Sequence, residues 1–361
     1  MSTDEPITTT STHRKANRTN DGPLLSVTDL KTHIRTKQGT VHAVDGVTFS
    51  VERGETVCIV GESGSGKTVT SESLTGIVPQ PPAEIVDGSV LFDGTNLLDA
   101  DERYLRRIRG SHIAHVFQNP GQALDPVYTV GDQIVEAITL HEDVEYEDAR
   151  KRGIHLLRRV GIPRASERID DYPHQFSGGM AQRVAIAISL AANPDLLIAD
   201  EPTTAVDVTV QARLIELLRE LTSDGMSMLL ITHDLRVVAS LADRVLVMFG
   251  GTIVERGSVE DVFERPAHPY TQALFESYDG LHRRSERSSR DEIPTDGCRF
   301  RTECSHAIDS CAGEEQPEHR TVGGDRTHTA SCVHYGPEGD PKPILYNANE
   351  TRPITEEYVD D

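Results

Sequence analysis

Apolar residues fall into two alternating patterns along much of the chain. Short continuous apolar runs recur at Thr56–Val60, Leu196–Ala199, Ser227–Ile231 and Arg244–Met248. Runs of that length, bounded by polar residues, predict strands buried in a sheet. Stretches with helical character lie between them. One helix is predicted from near Gly66 to about Gly76, and another from Met180 to about Ala192. A third spans Val208–Leu221 and a short one follows Asp234. Strands that alternate with helices predict an α/β domain with a largely parallel sheet. Leu24–Leu30 and Val41–Val51 also read as strands, the second placing Val41, Ala43, Val47, Phe49 and Val51 on odd positions and so on one face. Val90–Phe92 and Ile113–Phe117 read as further strands, and Pro79-Gln80-Pro81-Pro82 breaks the chain.

The stretch Val130–Asp170 departs from this alternation. Ile134, Ala137, Ile138 and then Ile154, Leu157, Val160 carry helical spacing, with an acidic patch over Glu142–Asp148. It reads as a small helical insertion. Beyond about Gly280 the periodicity dissolves, and Arg283–Arg290 has the charged, Ser-rich composition of a linker. Met1–Gly22 is rich in Ser, Thr and Asn, reads as a disordered tail, and has no apolar stretch of the kind a secretory signal needs. The predicted organisation is a tail (1–22), an α/β domain (23–278) with a helical subdomain at about 125–180, and a C-terminal region (279–361) ending in an acidic extension.

Charge narrows the function classes. The 361 residues carry 36 Lys+Arg against 58 Asp+Glu, a formal net charge of −22. Such a chain is a poor fit for neutralising nucleic-acid phosphates or lying on anionic lipid. Only six of the basic residues are lysine. An acidic, Arg-rich surface is the expectation for a halophile's cytoplasmic protein, and a GC-rich genome gives the same codon bias. No run of 18 apolar residues occurs, so no segment is read as membrane-spanning.

Gly61-Glu62-Ser63-Gly64-Ser65-Gly66-Lys67-Thr68 follows a predicted strand and opens a predicted helix. That context marks a phosphate-binding loop. The glycines let backbone N–H groups turn toward phosphate oxygens, Lys67 suits the β- and γ-phosphates, and the Thr68 hydroxyl suits Mg²⁺. Asp200 and Glu201 end an apolar strand. Asp200 is the candidate to hold Mg²⁺ through water, and Glu201 the candidate to polarise an attacking water. Ser177-Gly178-Gly179 at a predicted helix start is a second candidate anion site.

The segment Phe176-Ser177-Gly178-Gly179-Met180-Ala181-Gln182-Arg183 resembles the signature motif of ATP-binding-cassette (ABC) ATPases, L-S-G-G-Q, with Phe176 and Met180 as departures. Gln118 after Val116-Phe117, Ala205-Val206-Asp207, and His233 after Leu229-Leu230-Ile231-Thr232 match three further motifs of that family. The resemblance covers about Leu24 to Arg256. It implies a P-loop cassette fold, with a RecA-like parallel core, an antiparallel β edge and a helical subdomain. It also implies ATP hydrolysis with Mg²⁺ between two cassettes packed head to tail. ATP would be pinned between one Walker loop and the Ser177-Gly178-Gly179 segment of the other, with Asp207 at the interface. Gln118 would sense Mg²⁺ and the water, and His233 would hold the γ-phosphate and orient Glu201. The family's adenine-stacking aromatic has no counterpart in Arg35–Val41. His33 and His42 lie nearby but unaligned, which leaves Val41 as an aliphatic contact.

Arg265-Pro266-Ala267-His268-Pro269-Tyr270-Thr271-Gln272-Ala273-Leu274 resembles the segment following the cassette in dipeptide/oligopeptide importer ATPases, and the Gly61–Thr70 sequence resembles the first of their paired ATPases. The resemblance implies a peripheral protein on the cytoplasmic face of the membrane. Its implied partners are a sister ATPase in a heterodimer, two transmembrane permease subunits and an extracellular peptide-binding protein, with no nucleic acid. A cassette for nickel or oligosaccharide, or a soluble cassette protein acting on nucleic acid or ribosomes, are the alternatives. Cys58 lies in the strand before the P-loop and reads as core. Cys298, Cys304, Cys311 and Cys332 follow an x5, x6, x20 spacing. Spacing alone leaves a 4Fe–4S cluster, Zn²⁺ or free thiols open. The resemblance to dipeptide importer ATPases favours the 4Fe–4S cluster.

Overall fold

The computed structural model describes residues 22–118, 123–203, 208–278, 293–337 and 339–345. The tail 1–21, the linker 283–290, Asp207 and most of the acidic extension lie outside them. The described residues build two sheets. An antiparallel sheet orders β2-β1-β4-β5, from β1 (Leu25–Thr36), β2 (Gly39–Val51), β4 (Ala83–Phe92) and β5 (Thr95–Asn96). The larger sheet orders β11-β12-β10-β9-β3-β8-β7-β6. Within it β6 (Ile113–Val116), β7 (Leu196–Asp200), β8 (Ser227–Thr232), β3 (Thr56–Val60) and β9 (Arg244–Phe249) run parallel. The last three strands, β10 (Thr252–Ser258), β12 (Asp325–Ala330) and β11 (Arg320–Val322), extend it antiparallel.

The apolar runs explain this layering. Successive residues of a strand face opposite sides. Val57 and Ile59 of β3 therefore join Ile198, Leu229, Ile231, Leu246 and Met248 against the antiparallel sheet. Cys58 and Val60 join Leu197, Ala199, Leu230, Val245 and Val247 on the other side, under the helices. Both faces are covered, so these strands carry no polar alternation. The helices are α1 (Lys67–Leu74), α2 (Glu102–Ile108), α3 (Val130–Thr139), α4 (Tyr146–Arg159), α5 (Ala165–Arg168), α6 (Gly178–Ser189), α7 (Val208–Ser223), α8 (Leu235–Leu241), α9 (Val259–Glu264) and α10 (Pro269–Tyr278). Helices α3 to α6 pack around Ile134, Ile138, Leu157, Ile169 and Ile186.

Two outcomes differ from the sequence expectation. Strand β1 runs on to Thr36 and β4 begins at Ala83, well before Val90. Their added residues are mostly polar, with Ile34 on β1 and Ala83, Ile85 and Val86 on β4 as the apolar exceptions, and carry no long apolar run. They are held instead by pairing of β1 with β2 on one side and β4 on the other. The other difference is that residues 320–330 add two strands to the cassette sheet. Their anchor is Glu255 of β10, fully buried. Its carboxylate accepts the N–H groups of Ala267 and His268 at 2.8 Å each and pairs with His328 Nε2 of β12 at 2.8 Å.

Replacing Glu255 with Ala orphans two buried N–H donors and the His328 ring. Removing one partner of such a network costs about 3 kcal/mol or more. We expect Glu255→Ala to lower the thermal unfolding midpoint of the full chain by several degrees, and a wild-type midpoint would contradict the anchor.

Candidate functional site

The phosphate loop passes through a gap that admits only glycine. At Gly66 (φ +107°) an added Cβ would sit 2.1 Å from the Ala43 carbonyl oxygen of β2. At Gly61 (φ +156°) it would sit 2.2 Å from the Met248 carbonyl oxygen of β9. Ser63, Gly64 and Thr68 are exposed along the loop, whereas Ser65 is buried. Lys67, the first residue of α1, folds its side chain back over the loop. Its ammonium donates to the Gly61 and Glu62 carbonyl oxygens at 2.7 and 2.8 Å, and lies 3.4 Å from Ser65 Oγ. Burial pushes the Lys67 pKa below the usual lysine range, opposed by the charges of Glu201 and Asp200.

Strands β6, β7 and β8 are neighbours and parallel, so their C-terminal ends reach one edge beside the loop. Gln118 follows β6, Asp200 ends β7 with Glu201 next after it, and His233 follows β8. Gln118 Nε2 donates to Glu201 Oε2 at 2.7 Å, and His233 Nδ1 lies 3.1 Å from Glu201 Oε1. Glu201 has the left-handed backbone φ of +45°, and its N–H is held by the Ile231 carbonyl at 2.7 Å. That conformation costs a non-glycine residue about 1 kcal/mol or more. Asp200 is buried and its Oδ1 has no hydrogen-bond partner. Burial raises the Asp200 pKa, and a hydrogen bond from Thr68 pulls it back. A buried, unpartnered carboxylate oxygen beside a threonine hydroxyl and a buried lysine is a donor set that fits Mg²⁺ carried by a nucleotide.

The family model for ABC transporters matches residues 44–204, and that for the oligopeptide/dipeptide transporter C-terminal region matches residues 254–311. The oligopeptide transport ATP-binding protein AppD of Bacillus subtilis (strain 168) is 44% identical over 324 residues, which is 88% of this chain and 98% of the relative. The chain belongs to the ABC transporter ATP-binding proteins. OppD of the same organism, also named an oligopeptide transport ATP-binding protein, is 48% identical over 264 residues, covering 73% of this chain and 74% of the relative. A dimeric solved structure of the ATP-binding cassette MJ0796 in a post-hydrolysis state, bound to ADP and Pi, superposes with a TM-score of 0.60 at 27% identity, covering 65% of this chain and 98% of that one. As an ABC cassette the chain is an ATPase, and its use of ATP and Mg²⁺ follows from the family.

Within the cassette, Ser177 is the residue before α6, and its side chain makes no capping bond. Ser177 and Gly178 are exposed, and nothing lies within 4 Å of a Cβ placed on Gly178. The two departures from the signature motif face the helical subdomain. Phe176 is buried under the Arg168 guanidinium, 5.4 Å from the ring centroid, and the Met180 sulfur lies 3.8 Å from the same guanidinium. Asp207 lies outside the described residues. Val41 is half-exposed at 51%. The β1–β2 register sets His33 and His42 opposite each other, stacked with ring centroids 4.0 Å apart. Hairpin register was the signal that would have paired them. Asp45 completes a close group with these two histidines, and Arg299 pairs with its carboxylate.

All four C-terminal cysteines are free, and three are buried. Cys298 N–H donates to the Cys311 carbonyl at 2.9 Å, Cys304 N–H to the Phe300 carbonyl at 3.0 Å, and Cys332 follows β12. Each of the other three thiols helps to raise the Cys332 pKa, so the four are electrostatic neighbours. Burial is the larger cause, pushing Cys332 up to about 12 and Cys298 up to about 11. No three of the sulfurs lie within 4.8 Å of one another, since the only such group among the described residues is His33, His42 and Asp45.

Proposed function

We propose that this chain is the ATP-hydrolysing subunit that energises import of dipeptides or oligopeptides. It would lie peripherally on the cytoplasmic face of the membrane and work with two permease subunits, an extracellular peptide-binding protein and a sister ATPase. The relatives named for oligopeptide transport and the match to the oligopeptide/dipeptide C-terminal region support the cargo class. Among the described residues no helix is long and apolar enough to cross a membrane. The hydrolytic reading rests on one observation, the convergence of Gln118, Glu201 and His233 beside Lys67.

In this reading the backbone of Gly61, Ser63, Gly64, Ser65 and Gly66 wraps the phosphates, and Lys67, still held by the Gly61 carbonyl, turns its other N–H donors to the β- and γ-oxygens. Thr68, Asp200 and Gln118 are the residues that would hold Mg²⁺, which supplies charge neutralisation to the triphosphate. Glu201 accepts a proton from the attacking water as the new P–O bond forms and the bond to ADP breaks. Gln118 and His233 keep its two oxygens oriented for that transfer. Ser177, Gly178 and Gly179 of the facing cassette present a hydroxyl and helix-start N–H groups to the γ-phosphate.

Cys298, Cys304, Cys311 and Cys332 are the residues that would hold a 4Fe–4S cluster. Tetrahedral zinc, with Zn–S bonds of about 2.3 Å, needs its sulfurs within about 4 Å of one another. The four thiols are electrostatic neighbours, and zinc in place of the cluster is the alternative. The group would act as a staple, tying the end of β12 to the loops around Cys298, Cys304 and Cys311 in a region with few large apolar residues.

Glu201→Gln removes the proton acceptor and keeps the nucleotide contacts. ATP binding is expected to persist while turnover in the assembled transporter falls by about a hundredfold or more, and a wild-type rate would show that Glu201 has another role. Ser177→Arg is expected to abolish turnover in the complex and leave ATP bound to the isolated chain, so equal loss of binding in the isolated chain would contradict the head-to-tail arrangement. Anaerobically purified chain should be brown with about four irons, and Cys304→Ser should bleach it. A colourless chain with one zinc would overturn the iron assignment, and a metal-free, fully stable chain would overturn the staple as well.

A further inference from the structure

The Gly61–Glu62 peptide at the start of the phosphate loop is held from both sides. Its carbonyl oxygen accepts the Lys67 ammonium at 2.7 Å. Its N–H, on Glu62, donates to the Tyr270 hydroxyl at 3.0 Å. Carbonyl and N–H of one peptide point in opposite directions, so these two bonds fix the orientation of the peptide plane. The plane needs fixing because Gly61, at φ +156°, places little steric restriction on its rotation. A flipped peptide would turn an N–H toward the lysine ammonium and take away one of its two carbonyl ligands.

Tyr270 itself has almost no freedom. It lies in the first turn of α10 and is fully buried. Its ring packs 4.5 Å from Phe249, at the end of β9, and 5.5 Å from Phe300, with an interplanar angle of 66° to the latter. Phe249 and Phe300 meet edge to face at 5.3 Å. Two rings of this trio, those of Tyr270 and Phe300, come from outside the parallel sheet, Phe300 from the cysteine-bearing segment. Next to Phe300, the Arg299 guanidinium is buried against Asp45 of β2, two residues along the strand from Ala43, which lines the gap around Gly66.

We propose that Tyr270 is a positioning residue for ATP binding: its hydroxyl pins the Gly61–Glu62 peptide so that the carbonyl faces Lys67, and the Phe249–Phe300 rings hold the hydroxyl in place. The His-Pro-Tyr segment thereby belongs to the nucleotide site although it touches no nucleotide. An unpinned loop has to be ordered by the ligand itself, and that lowers affinity.

The test compares Tyr270→Phe, which keeps the ring and removes the hydroxyl, with Tyr335→Phe. The Tyr335 hydroxyl donates to the Ala267 carbonyl at 3.2 Å in the same region without reaching the loop. Titration calorimetry of the full chain with MgATP is expected to give about three- to tenfold weaker binding for Tyr270→Phe, the scale of one lost buried hydrogen bond. Tyr335→Phe should bind as the wild type does. In the assembled transporter the loss should appear in KM for ATP, with kcat changed less than about twofold. Wild-type affinity in a folded Tyr270→Phe chain overturns the proposal, and so does an equal loss in Tyr335→Phe. Amide exchange in the wild-type chain decides independently of how the variants fold. The Glu62 N–H should exchange about tenfold or more slowly relative to that of exposed Gly64, and equal rates would overturn the pin. The inference rests on ATP occupying this loop, which the wild-type titration checks in the same experiment.

Discussion

Parallel pairing of β6, β7, β8 and β3 is the constraint on which the rest of the molecule depends. Register along these strands brings Val116, Asp200, Thr232 and Val60 to one edge of the sheet. Residues just past four strand ends are then neighbours in space although far apart in sequence. Gln118 and Glu201 touch across 83 positions, and Glu201 and His233 across 32. No local motif could bring these groups together. The hydrophobic strands do so because burial on both faces fixes which residues lie in and how far each strand extends.

The same edge concentrates cost. Glu201 holds a left-handed backbone, Lys67 is a buried cation, and Asp200 keeps an unpartnered oxygen. Each is tolerated because the surrounding frame is overdetermined. Glu201 is fixed by the Ile231 carbonyl, Lys67 by two loop carbonyls, and β7 is buried along its whole length. An unpartnered carboxylate oxygen on Asp200 and a strained backbone at Glu201 thus sit side by side at the strand end where a triphosphate would be handled.

This division explains what could be read from the sequence. The parallel strands were legible because a doubly buried strand is a bare apolar run. The phosphate loop was legible because glycine, lysine and threonine at fixed spacing have few other uses after a strand. Gln118 and His233 carried no such signal. A single polar residue after a strand is usually a solvated turn, and only resemblance singled these two out before the geometry set them on Glu201. The additional residues of β1 and β4 carry a weaker signal because their apolar positions are few and cross-strand pairing supplies much of what holds them. Tyr270 escaped for a different reason. The sequence marks its segment as proline-bounded, but its contact with Glu62 spans 208 positions and depends on packing by Phe249 and Phe300.

Three of the contacts that tie the C-terminal segment to the cassette show how this packing is shared. Glu255 binds His328 of β12, Arg299 pairs with Asp45, and Phe300 closes on Tyr270. The first lies in the sheet extension. The other two lie against elements that form the walls of the phosphate loop. A segment with so few large apolar residues takes its order from the surface it docks on. Docking free energy is shared by both sides. Whatever orders the cysteine-bearing loops therefore also steadies β2 and α10, and whatever rigidifies the phosphate loop improves the surface on which those loops sit. The cassette core alone accounts for the layout of the reacting groups. The stiffness with which the loop is held comes in part from residues that follow it by about two hundred positions.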